Sequence, residues 1–368
     1  MSVARVVLVL MGFFGLAVAA GYSVVAFLAQ LAWRMRNPVP AMKARPPVTL
    51  LKPLCGAEPG LYEHLRGFCV QDYPDYQIIF GVRDPADPAR AVAERLVAEF
   101  PALPIEIVVN PRQHGSNRKV SNLINMLARA RHEWLVLADS DTFVGADYLA
   151  AVTPPLADET VGLVTCIYRG VPTPHIWSRL GAMYINEWYV PSVILAWLFG
   201  YDGYVSGQTM CLRRNTLQRV GGFEAIADHL ADDHRLGELV GEQGLRVVLS
   251  AYVVRGEHHE RTLESLARHE MRWMRTIRVL RPLSFRLIFL SFSLPLAILG
   301  LALVVGSGSP AGGAWSLFLV TAAIRLVLHL VYRFDGGRPA FADVWLLPAR
   351  DILLVCIWAG SFFTSRVT

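Results

Sequence analysis

From Val6 to Trp33 the chain carries no charged residue. A run this long is stable as a helix crossing the hydrocarbon layer of a bilayer, about 30 Å thick, because a helix satisfies its own backbone polar groups. Arg34, Arg36, Lys43 and Arg45 follow at once, and clustered positive charge marks a cytoplasmic flank. The amino terminus is therefore expected outside and the next segment in the cytoplasm. Ala17-Val18-Ala19 resembles a signal-processing site. The apolar run continues well past it, however, and most of the positive charge comes afterwards, which favours a retained anchor.

The carboxyl-terminal part is apolar again at Leu287–Val305, Ala314–Val331 and Val344–Phe363. Arg333 and Arg338 mark the second link as cytoplasmic, consistent with three crossings. Pro348, Arg350 and Asp351 interrupt the last segment. Ionisable groups at membrane depth are costly unless they face protein or water, so that segment is read either as interfacial or as holding an Arg350–Asp351 pair near the cytoplasmic surface. The expected layout is an anchor over 1–33, a cytoplasmic domain over 34–262, an interfacial helix over 263–285 and a membrane region of about three segments over 286–368. Hydrophobic residues make up 54% of the chain and charged ones 18%, which fits a partly embedded protein. Lysine and arginine exceed the acidic residues, but much of that excess borders apolar runs. An anionic membrane surface is thus a better partner than nucleic acid. The five cysteines form no close pairs, so neither a zinc site nor a disulfide framework follows.

The central region alternates short apolar runs with helical patterns, as βαβ units do. Trp134-Leu-Val-Leu-Ala-Asp-Ser-Asp141 reads as a buried strand ending in two carboxylates. The carboxyl end of such a strand is where α/β sheets place ligands. Paired carboxylates there suit a hard divalent cation bridging protein and phosphate oxygens, although Asp and Ser also form ordinary turns. The strand Tyr76–Val82 ends in Arg83-Asp84-Pro85-Ala86-Asp87-Pro88 and brings further carboxylates to the same sheet edge. His114-Gly-Ser-Asn-Arg-Lys119 precedes a helix expected from about Ser121. It suits either an anion at the helix amino terminus or a plain cap by Ser116 or Asn117. It lacks the glycine spacing of a Walker A loop or a dinucleotide fingerprint.

Gly203–Leu212 reads as a strand. Asp232 and Asp233 open a helix, where they complement its dipole or supply a base. The aromatic stretch Trp177–Gly200 has an apolar part too short to span a bilayer, and it reads as core, as a membrane dip or as the wall of an acceptor cleft. Leu263–Leu280 mixes Leu266, Trp273, Met274 and Ile277 with four arginines, and Arg281 follows, giving a basic amphipathic helix for a membrane surface.

These motifs, in this order, resemble membrane-bound glycosyltransferases of the GT-A fold, most closely the ceramide glucosyltransferase family (glycosyltransferase family 21) and its bacterial relatives, including hopanoid-biosynthesis glycosyltransferases. Leu51-Lys52-Pro53-Leu54, Asp72-Tyr-Pro-Asp-Tyr76, Asn117–Leu123, Gly207–Leu212 and Ala231-Asp232-Asp233 carry the likeness. The resemblance implies an α/β, Rossmann-like GT-A domain with transmembrane helices at both ends. It implies that Asp84, with Asp87 as the alternative, contacts the nucleotide of a sugar donor. It also implies that Asp139 and Asp141 hold a divalent metal, Mg or Mn, with the diphosphate, and that Asp233, beside Asp232, is the general base. Asn117, Lys119 and Gly207 join the nucleotide-sugar site on the same grounds. The family's last motif, Arg- or Gln-x-x-Arg-Trp, is altered, with His269 where Arg or Gln is expected, but Arg272 and Trp273 remain and are implied to be catalytic.

The implied activity is single transfer of glucose or N-acetylglucosamine from UDP to the hydroxyl of a membrane lipid such as ceramide, diacylglycerol or a hopanoid polyol, with inversion, at the cytoplasmic face of the inner membrane. The partners are then a UDP-sugar, a lipid acceptor and the bilayer. A processive polysaccharide synthase shares the aspartates and the Arg-Trp pair, but it needs more crossings for a polymer channel. A non-catalytic membrane receptor for nucleotide sugars or anionic lipids has no need of all the acidic positions together.

Overall fold

The computed structural model describes residues 2–36, 42, 45–201, 203–334 and 341–363. Lys43 and Arg338, two of the charges used above to orient the chain, lie outside the described residues. Two compact units are present: 36–169 with 200–257, and 1–35 with 170–199 and 258–368. The aromatic stretch read over Trp177–Gly200, expected within the central domain, therefore groups, up to Phe199, with the apolar helices.

The first unit is built on an eight-stranded sheet: β1 (Val48–Pro53), β2 (Tyr76–Val82), β3 (Ile105–Val109), β4 (Trp134–Leu137), β5 (Thr142–Phe143), β6 (Val161–Pro172), β7 (Met210–Arg213) and β8 (Arg246–His258), in the order β3-β2-β1-β4-β7-β6-β8-β5. β1 pairs in parallel with both β2 and β4, and β2 with β3, whereas β7 runs antiparallel to β4. Every residue of β1 and β2 is buried, as expected for parallel strands covered on both faces. Thr49 and Gln77 lie side by side within them and share a hydrogen bond of 3.0 Å, so neither buried polar group is left unsatisfied.

The helix Arg118–Leu127 lies over β1 and β2 with Val120, Leu123 and Met126 in the core beside Leu51, Ile79 and Leu135. It comes close because residue 81 is glycine: a Cβ there would stand 2.2 Å from Met126 Sδ. Asn122 Nδ2 donates to Gly81 O at 2.8 Å and sets the helix along the strand. Its amino terminus consequently opens at the carboxyl edge of the parallel strands.

Among the described residues of the second unit two helices are long and apolar enough to cross a membrane, Val3–Met35 and Gly312–Val331. Val3–Met35 crosses Ser293–Gly306 at a glycine contact, where a Cβ on Gly12 would stand 2.6 Å from Gly300 O. Leu16, Ala19, Ala297 and Val304 close around that crossing. Small residues let apolar helices approach and gain dispersion contact where lipid offers no hydrophobic drive. The segment expected over Leu287–Val305 is not one straight span. Pro282–Ser291 and Ser293–Gly306 meet at 68° and count as one crossing only if taken together. The break has a local cause: Ser291 Oγ donates to Ile288 O at 2.6 Å in a 3-10 turn and accepts from Trp188 Nε1 at 2.9 Å.

The last segment also departs from expectation. Its helix, Leu347–Gly360, has 14 residues, about 21 Å of rise, which is short of the hydrocarbon thickness. Arg350 does not pair with Asp351. It grips Glu270 through two bonds of 2.6 and 2.7 Å, and Asp351 accepts from Arg325 at 3.2 Å. Adjacent residues on a helix point in different directions, so each finds its partner on a different neighbouring element.

Candidate active site

The strand β4 ends at Leu137, and the chain turns through Asp139-Ser140-Asp141 beyond the carboxyl edge of the sheet. Asp139 accepts a 2.7 Å ion pair from Lys119, one residue into the helix Arg118–Leu127. Lys119 also reaches Asp232 at 3.2 Å. Burial works against the Lys119 ammonium, but Asp139, Asp232 and Asp233 outweigh it and raise its pKa, so it stays charged. Asp141 is different. Its Oδ1 is buried with no hydrogen-bond partner, and burial, reinforced by Asp139 and Glu58, pushes its carboxyl up to about 6.

Beneath this turn lies Lys52, wholly buried on β1. Its Nζ donates to Asp139 O and sits 3.8 Å from the centre of the Phe68 ring. Burial pushes this ammonium down to about 7, against the pull of Asp139 and Asp141.

Asp233 enters from the helix Asp232–Glu242. Gly207 N donates to its Oδ2 at 3.0 Å, and Gly207 O accepts from Asp139 N at 3.2 Å, so this glycine joins the two acidic positions through its backbone. A Cβ on Gly207 would stand 2.6 Å from Asp139 Oδ2 and 3.0 Å from Lys119 Nζ. This explains why the strand expected over Gly203–Leu212 is confined to Met210–Arg213: Ser206–Thr209 is a turn that faces the site. Burial and the neighbouring Asp232 push the Asp233 carboxyl up to about 6, against Lys119.

At the loop His114–Lys119 the plain cap forms, by Asn117. Asn117 Oδ1 caps Val120 N at 3.1 Å, Asn117 Nδ2 bonds His229 O at 2.8 Å, and Ser116 N donates to Asp228 Oδ1 at 2.7 Å. Asn117 and the Ser116 amide are thus tied up, and Lys119 carries positive charge at the helix start. Asp84 and Asp87 lie beyond β2 at the same edge of the parallel strands. Asp87 caps the helix Pro88–Glu99 and also accepts from Gly56 N at 2.9 Å, so it braces two loops. Asp84 is exposed, with Oδ1 accepting from Ala86 N at 2.8 Å.

Arg272 and Trp273 belong to the helical unit. Trp273 stacks on Tyr184 with centroids 5.4 Å apart and packs against His269 at 4.0 Å. Arg272 is exposed. Of their helix, Leu266, Glu270 and Met274 are buried, so the inward stripe carries a carboxylate where an apolar face was expected.

The model of glycosyl transferase family 21 matches residues 11–368. The chain belongs to glycosyl transferase family 21. Ceramide glucosyltransferase 1 of Caenorhabditis elegans is 24% identical over 249 residues, 66% of this chain and 52% of that protein. Ceramide glucosyltransferase of Komagataella phaffii is 33% identical over 101 residues, 26% of this chain and 20% of that protein. The chain spans about half the length of the nematode relatives it matches. A mannosyltransferase from Pyrobaculum calidifontis, solved with GDP-Man and Mn2+, superposes with a TM-score of 0.59 over 96% of this chain and 99% of its own, at 21% identity. That likeness shows the fold, a GT-A glycosyltransferase sheet.

Within this family 21 chain, Lys119, Asp139, Gly207, Asp232 and Asp233 form one connected cluster, with Asn117 tied to Asp232 at 3.4 Å. Asp141 borders it across Lys52. Among the described residues no three His, Cys, Asp or Glu side chains form a ready metal cage. The buried, unpaired Asp141 oxygen beside Asp139 fits a cation that takes its remaining ligands from phosphate and water. Sequence reasoning assigned no role to Lys52 or Glu58. The available signal for Lys52 was a lysine inside an otherwise apolar buried strand, since a buried cation without a function is rare.

Proposed function

We propose that the protein transfers a single hexosyl unit, glucose or N-acetylglucosamine, from a UDP-sugar to a hydroxyl of a membrane lipid at the cytoplasmic face of the inner membrane. The observation that carries this is the cluster itself. Acidic groups from two separate stretches, 139–141 and 232–233, meet at the carboxyl edge of a parallel sheet, with one buried carboxylate oxygen unpaired and two lysines beside them. The ceramide glucosyltransferase relatives support a lipid acceptor, and the apolar helices keep the chain where lipids are.

Asp233, with its carboxyl held near neutrality, takes the proton of the acceptor hydroxyl. The hydroxyl oxygen attacks the anomeric carbon, the bond from that carbon to the diphosphate oxygen breaks, and UDP leaves with the electron pair. One displacement inverts the anomeric centre. Lys119 holds Asp139 in place and contributes positive charge near the departing diphosphate. A divalent cation, Mg or Mn, held by Asp141 and Asp139 would further offset that charge. Asp84, exposed at the neighbouring strand end, contacts the nucleotide.

The test is UDP release from UDP-glucose and UDP-N-acetylglucosamine by the full chain in vesicles containing ceramide, diacylglycerol or a hopanoid polyol, with lipid products weighed by mass spectrometry. A mass gain of one hexosyl unit is expected. Asp233→Asn should lower transfer by roughly 10²–10⁴-fold while nucleotide binding persists. Release with no donor and acceptor pair would overturn the reading, and polymeric products would replace it with a processive synthase.

A further inference from the structure

Lys52 lies beneath the candidate cation seat, 0% exposed at the end of a strand that is buried throughout. A buried ammonium is costly unless a carboxylate and further hydrogen bonds offset it. Lys119 has that offset, with ion pairs of 2.7 Å to Asp139 and 3.2 Å to Asp232. Lys52 forms no ion pair among the described residues. Its ammonium has the Asp139 carbonyl oxygen on one side and the Phe68 ring, 3.8 Å from Nζ to the centroid, on another. A carbonyl dipole and a ring quadrupole stabilise a cation less than a full negative charge does. Compensation of this charge is incomplete until something anionic arrives.

The surroundings indicate what that anion is. Asp139 N donates to Gly207 O at 3.2 Å and Asp139 O accepts from Lys52, so the turn that carries Asp141 is fastened on both sides of this residue. Asp141 keeps its buried oxygen unpaired, and Asp139 and Asp141 act on Lys52 from beyond ion-pair reach. A dication arriving alone at these carboxylates also meets the Lys52 charge in a poorly screened interior, where like charges repel strongly. A diphosphate entering the same place is attracted by it. Lys52 therefore acts with opposite sign on the two occupants of the site.

We infer that Lys52 is a built-in counter-charge for the donor diphosphate that disfavours a divalent cation on its own, so that the nucleotide enters before its metal or together with it. This rests on the proposed reading of the site as one for a nucleotide diphosphate and a cation. Lys52 is a positioning residue: it acts through the Asp139–Asp141 turn and through its charge, and it takes no part in the bond exchange.

The test is binding to the full chain in detergent micelles, which is separable from transfer. The pH is held at 6.5, between the values to which burial moves Asp141 and Lys52, so that both keep most of their charge. Mn2+ alone is titrated and followed by loss of the free-ion electron paramagnetic resonance signal, and UDP is titrated calorimetrically in EDTA. Lys52→Gln keeps a donor for Asp139 O and removes the charge, whereas Lys52→Met removes both. Each variant should bind Mn2+ about 10-fold more tightly than wild type and metal-free UDP about 10-fold more weakly, the scale of one unit charge acting at close range. Damage to the fold weakens both ligands together, so the opposed shifts are the signature. Lys52→Gln equal to wild type for both ligands, or Mn2+ bound no more tightly by either variant, overturns the inference. A wild type that takes up UDP only when Mn2+ is already bound overturns it as well. A wild type that binds neither ligand rejects the reading of the site and the inference with it. Opposed shifts without any sugar transfer uphold the role of Lys52 and reject the proposed activity alone.

Discussion

Glu270 and Arg350 bring two charges into the interior of the helical unit, with 0% and 3% of their side chains exposed. The guanidinium makes two parallel bonds to the carboxylate, at 2.6 and 2.7 Å, and a third to Leu180 O at 3.2 Å. Removing one partner strands the other charge in a dry site, which typically costs about 3–5 kcal/mol. Replacing both by apolar residues of similar volume is commonly neutral or stabilising. Glu270→Met and Arg350→Met should therefore each lower the unfolding midpoint in detergent by roughly 6–20 °C, at ~2–4 °C per kcal/mol for a unit of this size. The double variant Glu270→Met with Arg350→Met should recover most of that loss. Because Glu270 lies on the helix that carries Arg272 and Trp273, catalytic rate should fall in the single variants and return in part in the double. Differential scanning fluorimetry over the four-member cycle gives the coupling. Single variants within about 1 kcal/mol of wild type, or a double variant as unstable as the sum of the singles, would refute the reasoning.

Transfer should have an acid limb. The Asp233 carboxyl is raised to about 6 by burial and by Asp232, so it is protonated and inert as a base below that pH and active above it. kcat/KM measured from pH 5 to 8 should rise through about 6, and a profile flat across that range would remove Asp233 as the base. Gly207→Ala places a Cβ 2.6 Å from Asp139 Oδ2 and 3.0 Å from Lys119 Nζ. It should weaken UDP-sugar binding by at least ~10-fold, as expected when charge-assisted contacts are displaced, and calorimetric titration with an unchanged Kd would contradict the crowding. Gly12→Val forces a side chain against Gly300 O. It should lower the thermal midpoint of the helical unit while leaving UDP affinity intact, and an unaltered midpoint would mean that the two helices separate without cost.

Much of the candidate site was legible because its signals are local. Asp139 and Asp141 ended an apolar run of strand length, and the strand formed at Trp134–Leu137. Asn117 stood where a cap belongs, and it caps the helix Arg118–Leu127. Of the two readings left open for that loop the cap formed, and its further tie from Ser116 N to Asp228 is seen only once the chain is folded. Lys52, read from the sequence only as part of a motif, lies wholly buried at the end of β1. Its contact with Asp139 O joins residues far apart in the chain.

What the sequence determined by itself was the kind of each element. A charge-free run such as Val6–Trp33 cannot be left in water, and an apolar run that stops at two carboxylates cannot be buried past them. Those limits act over a few turns of chain, so composition and period reveal them. The tertiary structure alone decided which charge meets which: Arg350 with Glu270 rather than Asp351, Lys119 with Asp139 and Asp232 together, and Glu260 with both His258 and His269. Desolvation requires every buried charge to have a partner. The choice of partner depends on which distant stretches the packed helices and strands bring within 3 or 4 Å, the reach of an ion pair.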